Sequence, residues 1–258
     1  MSRNPDRMIE RRSRILDILK NNGYAMVTEL AESFHTTEVT IRSDLAALEK
    51  EGSLVRMAGG AVLPQEDHVG NVARAFLNAP EKYAIAQCAA MEIQNGDTLF
   101  INAGSTTLCF AEALKSFSGL KIVTNSIPVA NALGGLPGIH VILIGGEVNG
   151  EDGFTYGTDA LETLSRYQAK FSVLSLDGIS AEGGVSTIHA EEAEVLRAML
   201  SHSERCLLLA DYSKLGKKGF LRFTGADGGK TLITDEQADL AEIRKLQNTG
   251  MKVLRAKM

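Results

Sequence analysis

Apolar residues recur at two spacings along this chain, and the change between them falls near residue 97. Before it the period is helical. Residues 14–19 read as one helix and 27–34 as a second, short one, followed by a tight connection at His35 and Thr36. A third helix spans 37–50 and stops at Gly52. Its Ile41, Leu45 and Leu48 stand at i, i+4 and i+7 and form one core-facing stripe. Residues 53–57 and 61–63 read as strands joined by the turn Ala58-Gly59-Gly60. After a polar, turn-rich linker at 64–79, Pro80 opens a helix over 81–94. From residue 97, short apolar strands at 98–102, 121–124, 141–144, 171–176, 206–210, 231–234 and 252–254 alternate with helices at 106–117, 128–133, 159–167, 191–203 and 236–248. That alternation predicts an α/β fold with a mostly parallel sheet covered on both faces.

The first pattern carries chemistry on its polar side. Three short helices with a turn between the second and third are the geometry that places a helix in the DNA major groove. Opposite the apolar stripe stand Val39, Ser43 and Ala46, flanked by Thr40 and Arg42. Val39 suits a thymine methyl, Ser43 a base edge, and Arg42 a phosphate or a guanine, with Thr37 and Glu38 at the helix start. The following hairpin reads as a wing, with Arg56 placed for a phosphate or the minor groove. A plain amphipathic surface helix and a hairpin that only caps a small core are the alternatives.

The second pattern places polar residues after successive strands, where parallel sheets hold ligands. Asn102 precedes Gly104-Ser105-Thr106-Thr107, a glycine-hydroxyl loop entering a helix, which suits a phosphate. Thr124-Asn125-Ser126, Gly145-Gly146, Asp177-Gly178, the loop carrying Ser186-Thr187, and Lys214 follow the other strands. Each alone reads equally as a cap or turn; their shared position points to an anion site.

The segments 40–45, 48–52 and the Arg56…Gly59-Gly60-Ala61 wing, together with Asn102–Thr106, 124–126, 177–179, 184–187 and 211–214, resemble the DeoR family of bacterial transcriptional regulators over nearly the whole chain. The resemblance implies a winged helix-turn-helix at residues 1–63 that binds double-stranded operator DNA. It also implies an effector-binding and oligomerisation domain at 80–258, related to ribose-5-phosphate isomerase, that takes a phosphorylated sugar or polyol. A repressor of a carbohydrate operon, working as a homo-oligomer (dimer or tetramer), is the expectation. Three positions depart from the family pattern. Ser43 replaces a longer polar or basic residue, Asn102 replaces Asp, and His189-Ala190 replaces an Asn-Glu pair, so one ligand carboxylate is expected to be missing. A sugar-phosphate isomerase, with Asp177, Glu191 or Glu192 as base, and a winged-helix protein-interaction module are the competing readings.

Composition adjusts this picture only at the edges. The 258 residues are 44% apolar, enough for a sizeable core, and no apolar run reaches membrane-spanning length. The start lacks a signal-peptide core, so a cytoplasmic protein without membrane association is expected. Cys88, Cys109 and Cys206 are far apart without metal-ligand spacing, which predicts buried free thiols and neither metal nor cofactor. Net charge is −5. Residues 1–62 hold nine of the 27 Lys/Arg and nine of the 32 Asp/Glu, so the DNA-reading segment is neutral. Arg3, Arg7, Arg11, Arg12 and Arg14 nevertheless cluster at the N-terminus as a modest phosphate footprint.

Overall fold

A computed structural model describes residues 5–22, 24–51, 53–57, 59–62 and 78–257; residues 64–77 of the expected linker at 64–79, together with Gly52, Ala58 and Leu63, lie outside them. The chain divides into two compact units, Met1–Ala79 and Pro80–Met258.

In the first unit, α1 (Pro5–Asn22), α2 (Val27–Ser33) and α3 (Glu38–Lys50) pack with a small sheet of β1 (Tyr24–Met26), β2 (Val55–Met57) and β3 (Gly60–Val62). The strand order is β1-β3-β2, all antiparallel. Ile15, Leu19, Leu30, Ile41, Leu45, Leu48 and Leu54 are buried together, so the i, i+4, i+7 stripe of α3 faces the core as its spacing predicts. The turn between α2 and α3 closes through a left-handed His35 (φ 47°), and Thr37 caps α3 by accepting the Thr40 amide at 3.2 Å. The first wing strand is shorter than the expected 53–57, the second keeps three residues one position earlier, and β1, a third strand pairing with the wing, was not foreseen. Three residues between two helices carry too little periodic signal to be read as a strand.

The second unit is built on seven parallel strands: β4 (Thr98–Ile101), β5 (Leu120–Thr124), β6 (Ile139–Leu143), β9 (Ala169–Ser175), β12 (Ser203–Leu209), β14 (Lys230–Asp235) and β15 (Lys252–Ala256). Their order is β15-β14-β12-β9-β4-β5-β6. The sheet is the one the alternation predicted. Strand residues alternate between two apolar clusters. Leu99, Ile101, Ile122, Phe171, Val173 and Leu207 pack with Ile85, Phe110 and Val129 of α4 (Ala79–Ala90), α5 (Ser105–Ala113) and α6 (Ile127–Leu133). Phe100, Val123, Leu174, Leu208 and Leu232 pack with Leu164, Leu196 and Ile243 of α7 (Thr158–Leu164), α8 (Ala190–Ser201) and α9 (Leu240–Asn248). Burial on both faces explains the apolar runs of the central strands, while the edge strands β6 and β15 are only partly buried.

Two antiparallel additions were not expected. One is the hairpin β7 (Glu147–Asn149) and β8 (Phe154–Tyr156). The other is a sheet of β10 (Gly178–Ser180), β11 (Gly184–Thr187) and β13 (Leu221–Thr224) in that order. Gly178, Ser186 and Thr187, read as ligand-loop residues, therefore lie in strands. Helix ends also moved. α4 stops at Ala90 rather than 94. α9 starts at Leu240 rather than 236, because the Asp235 carboxylate accepts the Gln237 amide and holds a turn there, and Asp239 then caps the helix.

Candidate functional site

On α3 the residues opposite the core stripe are free of it. Val39 is 73% exposed, the one large apolar side chain left in solvent among the described residues of the first unit, and Thr37, Arg42 and Ser43 are exposed beside it. Glu38 and Thr40 are half-buried. Arg42 is held by Glu38 one turn back at 2.7 Å. It also lines a cleft of about 320 Å³ with Val27, Leu45, Glu49, Arg56, Gly59 and Gly60, so the wing and recognition helix share one concave face. Asp44 is different. It is 2% exposed, and Arg11 and Arg12 reach it from α1 at 2.6 and 3.0 Å. Arg14 lies over the Phe34 ring. Arg11 and Arg12 clasp α1 to α3, so two arginines of the expected N-terminal phosphate footprint are ion-paired internally, while Arg14 stays exposed over the ring. Arg3 and the Arg7 side chain lie outside the described residues.

In the second unit every β-strand of the large sheet ends on the same edge, and the polar residues after those ends meet there. Asn102, after β4, donates its side-chain amide to Glu192 Oε1 at 3.4 Å, and Asn125, after β5, donates to the same oxygen at 3.3 Å. Asn102 Oδ1 accepts the Ser175 amide, and Asn125 Oδ1 accepts the Ala103 amide. All three side chains are buried. Burial pushes the Glu192 carboxyl up to about 7, against the opposing pull of the Asn125 amide and of His189. Beside it His189 Nε2 stands 2.7 Å from Asp152, on the β7–β8 turn, and Phe154 meets the imidazole edge-on. The Asp152 contact holds the imidazole above its ordinary range, with burial opposing. Asp177 accepts the Thr187 hydroxyl at 3.3 Å and the Ile188 amide at 3.0 Å.

The remaining hydroxyls separate by what they already bond. Thr107 donates to the Asn102 and Gly104 carbonyls, and Thr124 donates to Ile101 and accepts the Ser126 amide. Ser126 caps α6, and Ser186 ties the Gly178 carbonyl to the Gly219 amide. Those four shape the site from within. Ser105 and Thr106, in the first turn of α5, have no hydroxyl partner among the described residues, and the first amides of a helix have no intrahelical acceptor. Gly104 makes that turn fit, because a Cβ there would stand 1.7 Å from Ser175 Oγ. Gly146 has φ +132° and would drive a side chain onto the Tyr156 carbonyl, while Gly145 faces open space. Lys214 sits half-buried in the turn after β12, with no ion-pair partner among the described residues, and the buried Asp211 caps that turn.

Sequence reading named Glu192 only as a candidate base of the isomerase alternative and left it out of the effector site, since the His189-Ala190 departure implied a lost carboxylate. A carboxylate is present, supplied by Glu192 of α8, two residues after Ala190. The cysteines also differ from expectation: Cys206 is buried, but Cys88 and Cys109 are only half-buried, and all three are free. No helix among the described residues is long and apolar enough to cross a membrane.

Residues 11–67 match the DeoR-like helix-turn-helix domain, and residues 77–236 match the DeoR C terminal sensor domain. The chain is 33% identical to the glycerol-3-phosphate regulon repressor of Escherichia coli (strain K12), over 88% of this chain and 90% of that one. It is 31% identical to the HTH-type transcriptional repressor GlcR of Bacillus subtilis (strain 168), over 95% of each. Partial likeness extends to ribose 5-phosphate isomerase A of Methanocaldococcus jannaschii, at 14% identity and TM-score 0.39 over 53% of this chain and 54% of that one. With both halves matched in order, this chain belongs to the DeoR family of transcriptional regulators.

Proposed function

We propose that this protein is a cytoplasmic repressor of a carbohydrate or polyol utilisation operon, released from its operator by a phosphorylated sugar or polyol. Val39, Ser43, Arg42 and Arg56 read the duplex, with Thr37, Glu38 and Thr40 at the entry to the groove. Two winged helices, held at half-site spacing by a homo-oligomer, supply the affinity that a neutral DNA-reading segment lacks. The effector lies on the strand-end edge. Ser105, Thr106, the α5 amides and Lys214 take its phosphate, and the Asn102–Asn125–Glu192 network takes its hydroxyls. A ligand with different affinity for the free and DNA-bound arrangements then shifts the equilibrium off DNA. The observation that carries this reading is the pairing of an exposed, small-residue α3 face with a buried polar network beside two unbonded hydroxyls.

One observation favours a second reading. A carboxyl near 7 beside ligand loops is suited to moving a proton between adjacent carbons, as an isomerase requires. The test is fluorescence anisotropy of labelled DNA from upstream of this chain's own gene cluster, at two salt concentrations. A panel of sugar and polyol phosphates is added, led by glycerol 3-phosphate after the relative named above. Salt-sensitive, sequence-selective binding released by one compound supports the repressor. Turnover of a panel member without selective DNA binding selects the isomerase.

A further inference from the structure

The cleft between α3 and the wing contains a carboxylate, which is the wrong charge for a surface that meets phosphates. Glu49 holds Arg56 twice: Oε1 accepts the main-chain N–H at 3.0 Å, and Oε2 accepts Nε at 2.7 Å. Both bonds have a structural reason. β2 is an edge strand of its sheet, so an outward main-chain N–H there has no strand to pair with, and Glu49 takes the one at Arg56. By bonding Nε, the carboxylate also fixes the plane of the guanidinium and leaves both terminal nitrogens without a partner among the described residues. Those nitrogens carry the fork that matches a phosphate. Arg42 stands two helical turns before Glu49 on the same side of α3 and lines the same cleft. Arg56 in turn keeps the Glu49 carboxyl below its ordinary range, so it stays ionised.

We propose that Glu49 is a positioning residue for operator binding: it pins the wing to the recognition helix and aims the Arg56 fork, so that Arg42 and Arg56 meet one duplex from the two walls of the cleft. The inference rests on the reading of Arg56 as a DNA contact. It departs from two simpler expectations. An exposed ion pair of this kind ordinarily contributes little, and removal of a negative charge beside DNA ordinarily tightens binding.

The test is a double-mutant cycle on the full chain, with Glu49→Gln, Arg56→Ala and the pair. The probe is a labelled duplex enriched from a random pool by the wild-type protein, with a scrambled duplex as control. Glu49→Gln should weaken binding of the enriched duplex about 10-fold and lower the salt slope by about one phosphate contact. In the Arg56→Ala background the same substitution should cost nothing or tighten binding slightly, because only its charge then remains to act. Glu49→Asp, which keeps the charge but shortens the reach, should fall between wild type and Glu49→Gln. Far-UV circular dichroism checks that each variant is folded. Unchanged or tighter binding by Glu49→Gln in the wild-type background would overturn the proposal. So would a loss that persists in full without Arg56, or wild-type affinity in Glu49→Asp if Glu49→Gln does not fold. Wild-type affinity in Arg56→Ala alone would overturn the contact reading beneath it, and that arm is scored independently of Glu49.

Discussion

Glu192 gives the sharpest energetic test, because burial and titration act on one atom group. Its carboxyl is 4% exposed and has two amide donors but no cation bonded to it among the described residues. Burial raises its pKa from 4.5 to about 7. The sign follows from linkage. The folded state holds the proton more tightly than the unfolded state, so stability falls as pH rises from 4.5 to 7 and stays lowered above that. At about 1.4 kcal/mol per pH unit, that interval amounts to about 3 kcal/mol. Glu192→Gln keeps an acceptor oxygen for the Asn102 and Asn125 amides and removes the charge. The variant should match wild type near pH 4.5 and exceed it by about 3 kcal/mol near pH 8. The chain has no tryptophan, so urea unfolding between those values is followed by far-UV circular dichroism on the transition of the second unit. His189 is also raised, so its stabilisation is present at low pH and lost as pH climbs through its folded value. Because it is common to both proteins, it cancels in the difference apart from its coupling to Glu192. A stability difference that is flat across this pH range, or that grows toward acid, would refute the argument.

Asp44→Ala strands two arginines on α1 and should destabilise the first unit by about 2–4 kcal/mol, read from its urea midpoint. Gly104→Ala forces a methyl onto Ser175 and should cost the second unit about 1–3 kcal/mol, by the same assay. Arg42→Ala should weaken operator binding about 10-fold while leaving phosphosugar affinity, by calorimetry, unchanged. Ser105→Ala should do the reverse: it should blunt effector-driven release in the anisotropy assay while leaving DNA binding within about twofold.

The elements with sustained periodicity were legible. All seven parallel strands fell where apolar runs predicted, because each carries a short apolar run, buried on both faces in the central strands and partly buried in the edge strands β6 and β15. The α3 stripe was legible by its spacing. The strands β1, β10, β11 and β13 were not, since each has only three or four residues and several of those are glycine, serine or threonine, which also write loops. At the site, Asn102 and Asn125 follow strand ends and meet Glu192 there, Gly178, Ser186 and Thr187 lie instead in a small antiparallel sheet, and the roles of the hydroxyls were not separable from sequence. Thr107, Thr124, Ser126 and Ser186 are spent on the fold, and nothing in a hydroxyl's type distinguishes them from Ser105 and Thr106.

Two buried carboxylates could have been found by one rule. On α3, Asp44 stands three residues after Ile41 and four before Leu48, inside the apolar stripe. On α8, Glu192 stands three, four and seven residues before the buried Val195, Leu196 and Met199. Its neighbour Glu191 is turned about 100° away and lies exposed. A carboxylate on a core-facing stripe must find donors or surrender its charge. What separates the two is the partner. Asp44 receives two guanidiniums from α1, so its charge is matched and it serves as a clasp between helices. Glu192 is bonded only by neutral amides among the described residues, and the pull of the nearby His189 does not outweigh burial, so its proton is retained to near pH 7. A fold gains nothing from an unmatched buried acid that glutamine or leucine would not supply more cheaply. Its position among the strand-end loops therefore accords with a role in the proposed effector site, which the Glu192→Gln variant tests as a stability gain and an expected loss of effector response.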